Sequence, residues 1–192
     1  METSSGCRQS IRLKNYDYSQ PGYYFVTICT WNRLNIFGDI DNAQMDLNLY
    51  GKMVEKAWGE LKVRFPDAYL DEFEIMPNHF HGIIAIVGAP LVGARGERAG
   101  TRPAPTLGAI IGAFKSITAR QFILSLKDKK NHSQLWQRNY YEHVIRNEKE
   151  LFELRQYIQQ NPLKWELDPE NVGAPLVGAR SERPGTRPAP TI

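Results

Sequence analysis

Two runs of strand-forming residues meet at a Pro77-Asn78 pair, and no other feature of this 192-residue chain restricts its fold as much. Tyr69 to Ile75 reads as one strand and His79 to Val87 as its partner, with proline and asparagine marking the turn. The second run, HFHGIIAIV, is apolar almost throughout, as expected of a strand covered by other elements. Such a hairpin belongs at the centre of an antiparallel sheet, and the rest of the chain has to supply its neighbours and its cover.

Tyr23 to Thr30, dense in aromatic and β-branched residues, supplies a first strand behind Pro21-Gly22. Leu49, Met53, Ala57, Leu61 and Phe65, with Tyr50, Val54 and Trp58, follow the spacing of an amphipathic helix that Pro66 closes. Leu107, Ile110, Ile111, Phe114 and Ile117 mark a second helix, with Thr106 as its N-cap. A short strand around Tyr140–Arg146 leads to a last helix, Glu148 to Gln160. Asn147 and Glu150 open that helix at capping-box spacing, and Pro162 ends it. The order β-α-β-β-α-β-α predicts an α+β protein. It is the ferredoxin-like split βαβ plan with an antiparallel sheet and an additional C-terminal helix.

Residues 87–106 and 172–191 are near-copies, VGAPLVGARGERAGTRPAPT and VGAPLVGARSERPGTRPAPT, differing only at Gly96/Ser181 and Ala99/Pro184. Rich in proline and glycine, and poor in core formers, they read as flexible segments rather than stacked repeats. The expected organisation is an N-terminal arm (1–22), one domain (23–170) with the first copy inserted in it, and a C-terminal copy (171–192). The copies together add four positive charges. The formal net charge of +3 therefore falls to −1 for the remainder, so overall charge says nothing about nucleic acid. Arg95, Arg98 and Arg102 in the first copy could still reach phosphates. Cys7 and Cys29 have neither disulfide-framework nor zinc-site spacing. No uninterrupted apolar run approaches the roughly 20 residues of a membrane helix, and the first residues do not form a secretory signal. The expectation is a cytoplasmic protein with no membrane partner.

Chemistry concentrates in two places. His79 and His81 alternate with Phe80 on a strand, so both imidazoles face one side while the phenylalanine anchors the other. Two neutral imidazoles so placed can hold one metal ion, although two exposed histidines near a turn would give the same pattern. Asn78 could cap the turn or orient a ligand. The second place is Tyr157-Ile158-Gln159-Gln160-Asn161-Pro162. Tyr157 and Asn161 lie four apart, on one side of the helix. A phenol becomes a nucleophile when a metal polarises its electrophile, and an amide oxygen from Asn161 could complete the site. A tyrosine packed on the core would also satisfy this pattern.

With EIMPNHFHGIIAI, LGAIIGAFKSITA and LWQRNYYEHVIRNEKELFELRQYIQQNPLKWEL in this order, the chain resembles the tyrosine transposases of the HUH nuclease superfamily. It looks most like the branch associated with repeated extragenic palindromes (REP), over Arg8 to Asp168. The resemblance implies metal-dependent cleavage and rejoining of single-stranded or hairpin DNA. It implies a Mg²⁺ or Mn²⁺ site at His79 and His81, and Tyr157 as the nucleophile that takes the 5′ phosphate and releases a 3′ hydroxyl. Some members of the superfamily carry Gln where this chain has Asn161, and Gln160 is the alternative third ligand. The implied partner is single-stranded DNA with a REP-like hairpin, acted on by a monomer or a homodimer.

Candidate DNA contacts are Arg12 and Lys14, with Arg8, in a basic arm, and Lys115, Trp136, Arg138, His143 and Arg146. Tyr140 and Tyr141 are rival nucleophiles or stacking platforms. Competing functions are a hairpin-binding protein of the same fold without catalysis and a replication initiator or relaxase. The latter is disfavoured because no helicase region is present. A zinc hydrolase is disfavoured because no third His, Cys or carboxylate stands at ligand spacing.

Overall fold

Strands β4 (Ala68–Met76) and β5 (His79–Ile86) form the expected hairpin, with Met76 opposite His79 and Glu74 opposite His81. The computed structural model describes residues 16–87, 105–126 and 134–167. Nearly all of both repeat copies, together with Arg8, Arg12, Lys14 and Cys7, lies outside the described residues. β1 (Gly22–Cys29) pairs antiparallel with β5 on one side and with β6 (Tyr141–Ile145) on the other. The sheet order is β4-β5-β1-β6, with every neighbour antiparallel, as the ferredoxin-like plan requires.

Alternation along β1 and β5 divides their side chains between two layers. Tyr24, Val26, Ile28, Phe80, Ile84 and Ile86 face helices α1 (Leu49–Arg64) and α2 (Leu107–Ser125). There Trp58 lies 4.6 Å from Phe80 and 5.3 Å from Phe114 between ring centroids. A Cβ at Gly82 would come within 3.0 Å of Trp58 and closer still to Phe80, so the missing side chain makes room for this packing. Such aromatic pairs add about 0.5–1.5 kcal/mol each beyond their buried area. α2 continues beyond Ile117 to Ser125. It is long and apolar enough in composition to cross a membrane. However, Leu107, Ile110, Ile111, Phe114, Thr118 and Phe122 form one buried side of it against this core.

The opposite face of the sheet is covered by α3 (Glu148–Gln159), where Phe25, Ile83, Ile145, Leu151 and Ile158 form a second cluster. β5 is therefore buried along its whole length, which explains its continuous apolar character. α3 begins with Asn147 Oδ1 accepting from the Glu150 backbone N–H at 2.9 Å. Glu150 Oε2 accepts from the Arg146 N–H, one residue earlier than in a standard capping box. Arg155 fastens the middle of α3 to Asp71, its Nε and a terminal nitrogen donating to the carboxylate at 2.5–3.2 Å. Asp71 stands where the β4 register shifts between Leu70 and Phe73.

A two-stranded ribbon, β2 (Gly38–Asp41) with β3 (Gln44–Leu47), was not expected. Its turn places Asn42 and Ala43 at φ of 48° and 61°. A two-residue hairpin with both central residues in the left-handed region normally advertises itself by glycine, and here alanine takes that place.

Candidate active site

The face of β5 beneath α3 carries His79 and His81, which are 0% and 2% exposed. Their Nε2 atoms stand 2.9 Å apart. Each ring is held by its other nitrogen. His79 Nδ1–H donates to Asn78 Oδ1 at 2.8 Å, which leaves its Nε2 without a proton. His81 Nδ1 is 2.8 Å from Thr27 Oγ1, a hydroxyl able to donate or accept, so His81 can present either tautomer to its neighbour. Burial pushes the His81 pKa down to about 3. Burial also holds His79 well below its ordinary value, with further lowering from His81 and Arg33. Both rings are therefore neutral near pH 7, the form that can donate a lone pair.

Asn78 can reach His79 because the 30–37 segment wraps the Pro77-Asn78 turn. The Thr30 N–H donates to the Asn78 carbonyl, and the Ile36 and Phe37 N–H groups donate to the Pro77 carbonyl. Asn78 Nδ2 donates in turn to the Arg33 carbonyl at 3.3 Å. The Asn78 side chain thus holds the His79 ring as well as standing at the turn. Thr27 was missed. Nothing local distinguishes it in TIC, and only the register that sets it opposite His81 reveals its role.

α3 brings the second motif over the pair. The Tyr157 ring lies 5.3 Å from His81 and 6.1 Å from Phe25, and at 39% exposure its edge is reachable from solvent. Beyond α3, a helical turn over Pro162–Leu167 places Trp165 6.0 Å from His79. Asn161, in the turn after α3, is 2% exposed, and its Oδ1 has no hydrogen-bond partner among the described residues. Gln160 is exposed, and its Oε1 accepts from Lys164 Nζ at 3.0 Å. Among the described residues no three His, Cys, Asp or Glu side chains form a cluster that could hold a metal ion.

These donors fit the divalent ion that the resemblance implies. Two nitrogens each about 2.1 Å from one ion and at right angles would stand about 3 Å apart, close to the separation found. The Asn161 oxygen, buried without a partner among the described residues, is an acceptor that an ion or an ordered water would satisfy.

Beside the pair opens a cleft of about 550 Å³, lined among others by Phe25, His81, Tyr157, Gln137, Asn139 and Tyr141. Tyr141 is half exposed, with its ring 6.5 Å from Phe25.

The other sequence candidates occupy varied places. Trp136 is 6% exposed, with Nε1–H donating to Thr118 Oγ1 at 2.8 Å and its ring against Phe37 and Phe114. Lys115 Nζ donates to the carbonyls of Gln137 and Arg138 at 2.7 and 3.0 Å, and burial lowers its pKa. His143 Nε2 sits 2.6 Å from Glu150 Oε1. Arg138 and Arg146 are exposed.

No family model matches the chain. A Haemophilus influenzae protein known as an uncharacterized protein is 41% identical over 169 residues, covering 84% of this chain and 91% of the relative. Among solved structures, a REP-associated tyrosine transposase bound to a REP hairpin aligns with a TM-score of 0.53 at 17% identity, over 91% of this chain and 99% of that one. The chain therefore belongs to one family with the Haemophilus influenzae protein, and its domain has the fold seen in that transposase.

Proposed function

We propose that this protein is a DNA strand transferase of the tyrosine transposase kind, cleaving and rejoining single-stranded DNA beside a hairpin. The carrying observation is the convergence of two neutral imidazole nitrogens, 2.9 Å apart, beneath Tyr157 on the final helix. The neighbour solved with a REP hairpin supports a hairpin as the partner.

On this reading His79 Nε2, His81 Nε2 and Asn161 Oδ1 hold a divalent ion. That ion, when bound, polarises a phosphodiester oxygen as a Lewis acid. Of Mg²⁺ and Mn²⁺, the latter suits two imidazoles better, because Mg²⁺ favours oxygen donors. Asn78 and Thr27 hold the rings so that no reorientation accompanies loading. The Tyr157 oxygen attacks phosphorus and its proton passes to solvent. The 3′ oxygen leaves and takes up a proton, and the 5′ phosphate stays on the tyrosine. One phosphodiester bond is exchanged for another, so an incoming 3′ hydroxyl can reverse the step without an added energy source. Both histidines, the asparagine and the tyrosine come from one chain, so a monomer contains every group the reaction uses.

The test is incubation of the protein with hairpin DNA from the flanks of its own gene, with Mn²⁺, followed by denaturing electrophoresis. A covalent protein–DNA adduct is expected. Tyr157→Phe should abolish it and leave the melting temperature within a few degrees, since the ring contacts remain. An adduct that survives this change refutes the assignment. Hairpin binding with no adduct under any metal would favour a binding protein without catalysis.

A further inference from the structure

The turn after β1 inverts the usual placement of side chains. Trp31 and Leu34 are each 42% exposed, whereas Arg33 between them is half-buried, with its Nη1 cut off from solvent. Large apolar side chains normally turn inward and arginines outward. The backbone carries the inversion. Asn32 and Arg33 both adopt left-handed conformations, with φ of 52° and 54°, and neither is glycine. Such residues persist where their surroundings over-determine them, and they gather at functional sites.

Here the surroundings do so. The Arg33 N–H donates to the Thr30 carbonyl at 3.1 Å, and the Arg33 carbonyl accepts from Asn78 Nδ2 at 3.3 Å. Thr30 Oγ1 lies 2.9 Å from the Leu34 and Asn78 carbonyls. The turn is thus tied to the same asparagine that holds the His79 ring. Its product is a guanidinium on the lining of the cleft shared by His81 and Tyr157, and among the described residues lining that cleft Arg33 is the one permanent cation. Its charge is felt at His79, whose pKa it lowers after burial and His81 have done so.

A phosphodiester attacked by a tyrosine passes through a five-coordinate phosphorus with negative charge on its equatorial oxygens. A metal ion on the histidines can meet one of these oxygens, which leaves the other for a second donor. A guanidinium suits that oxygen, because its charge is permanent and its N–H groups pair with phosphate in a fixed fork. Donors placed before the reaction need no reorganisation as the charge moves onto those oxygens.

We propose that Arg33 is a catalytic residue of strand transfer, its guanidinium donating to the non-bridging oxygen of the scissile phosphate that the metal leaves uncovered. The proposal rests on the strand-transfer reading. Arg33 moves no proton: the bond from the Tyr157 oxygen to phosphorus forms, the bond from phosphorus to the 3′ oxygen breaks, and the guanidinium stays protonated throughout.

The test compares the full chain with its Arg33→Ala and Arg33→Lys variants on hairpin DNA, at the cleavage point used by the unsubstituted protein. The scissile phosphate is either normal or a methylphosphonate, resolved into its two stereoisomers, in which a methyl group replaces one charged oxygen. Hairpin affinity, the rise in melting temperature with Mn²⁺ and the rate of adduct formation are measured for each protein. On normal DNA, Arg33→Ala should slow adduct formation about 100- to 1,000-fold, as loss of one transition-state donor does. Arg33→Lys keeps the charge without the fork and should recover part of that loss. Hairpin affinity should change little, and the Mn²⁺ shift should not shrink, since removing a positive charge beside the site does not weaken a cation's binding. On one methylphosphonate stereoisomer the three proteins should react at nearly equal rates, because the charge that Arg33 answers is gone. Adduct formation by Arg33→Ala at the full rate would overturn the proposal, as would a defect of the same size on both stereoisomers. A smaller Mn²⁺ shift in Arg33→Ala would also overturn it, by showing that Arg33 merely props the His79 site through Asn78. If the unsubstituted protein forms no adduct, strand transfer itself is refuted; if it does and the variants match it, the role of Arg33 alone falls.

Discussion

Replacing Asn161 by leucine exchanges a buried amide for a somewhat larger apolar side chain, and its effects without and with metal should oppose each other. The Asn161 oxygen is buried without a partner, and an unsatisfied buried acceptor costs about 1–3 kcal/mol. Part of the gain from deleting it is lost to the branched side chain, which overpacking typically charges at about 1 kcal/mol. Without metal, Asn161→Leu should therefore be more stable by about 1 kcal/mol, or about 2–4 °C in melting temperature for a domain this size. With Mn²⁺ at a hundred times the dissociation constant, the unsubstituted protein should gain about 2.7 kcal/mol. If losing the amide weakens binding about a hundredfold, the variant gains only about 0.4 kcal/mol at the same concentration. The order of stabilities then reverses, with the unsubstituted protein ahead by about 1 kcal/mol. Thermal melts of both proteins in EDTA and across a Mn²⁺ titration would show curves that cross. A variant that is less stable in EDTA, yet shifted equally by Mn²⁺, would refute both the buried penalty and the role of Asn161 as a ligand.

Three further outcomes follow from packing and charge. Burial pushes the Glu74 carboxyl up to about 7, against a lowering contact from the Ile75 backbone and with added repulsion from Glu55 and Glu72. Because the folded value lies above the unfolded one, the contribution is fully present below about pH 4.5 and is lost as pH rises through about 7. After allowance for solvent screening it amounts to about 1–2 kcal/mol. Glu74→Gln should flatten stability between pH 5 and 8, and equal pH slopes for the two proteins would contradict this. Arg155→Met should cost about 1–2 kcal/mol, because Asp71, only 8% exposed in its side chain, loses its bidentate partner. Adduct formation should fall more steeply than folded fraction as α3 loosens over the histidines; a proportional fall would show that the pair only stabilises. Trp136→Phe should lower stability by about 1–3 kcal/mol through the lost Thr118 hydrogen bond. DNA affinity per folded molecule should be unchanged, and a selective loss of affinity would place Trp136 at the DNA after all.

Much of this architecture can be read along the chain because its signals are local. The Pro77-Asn78 turn, the apolar run after it, the 3.6-residue spacing from Leu49 to Phe65 and the Asn147/Glu150 cap each involve neighbours within a few residues. The ribbon at Gly38–Leu47 escaped because its turn carries Ala43 where glycine would announce a left-handed residue.

The site divides along the same line. Alternation along one strand sufficed to put His79 and His81 on one face and Phe80 on the other, whereas helical spacing does not reach Asn161, which lies beyond the end of α3. Sequence alone could not say that the histidine face meets α3. That depends on α3 folding back over the sheet, where Leu151 and Ile158 bury against Phe25 and Ile83. That Asn161 is buried while Gln160, just before it, is exposed and reaches Lys164 was likewise decided only by the tertiary structure. Asn78 acquired its hold on His79 only because the 30–37 segment encloses the turn, and Thr27 its hold on His81 only through strand register. Lys115 and Trp136 carry the chemistry of DNA contacts, and only the tertiary structure shows their hydrogen bonds to the Gln137 and Arg138 carbonyls and to Thr118. Periodicity along the chain determines which face a side chain occupies, whereas what that face meets is set by long-range packing that no local pattern encodes.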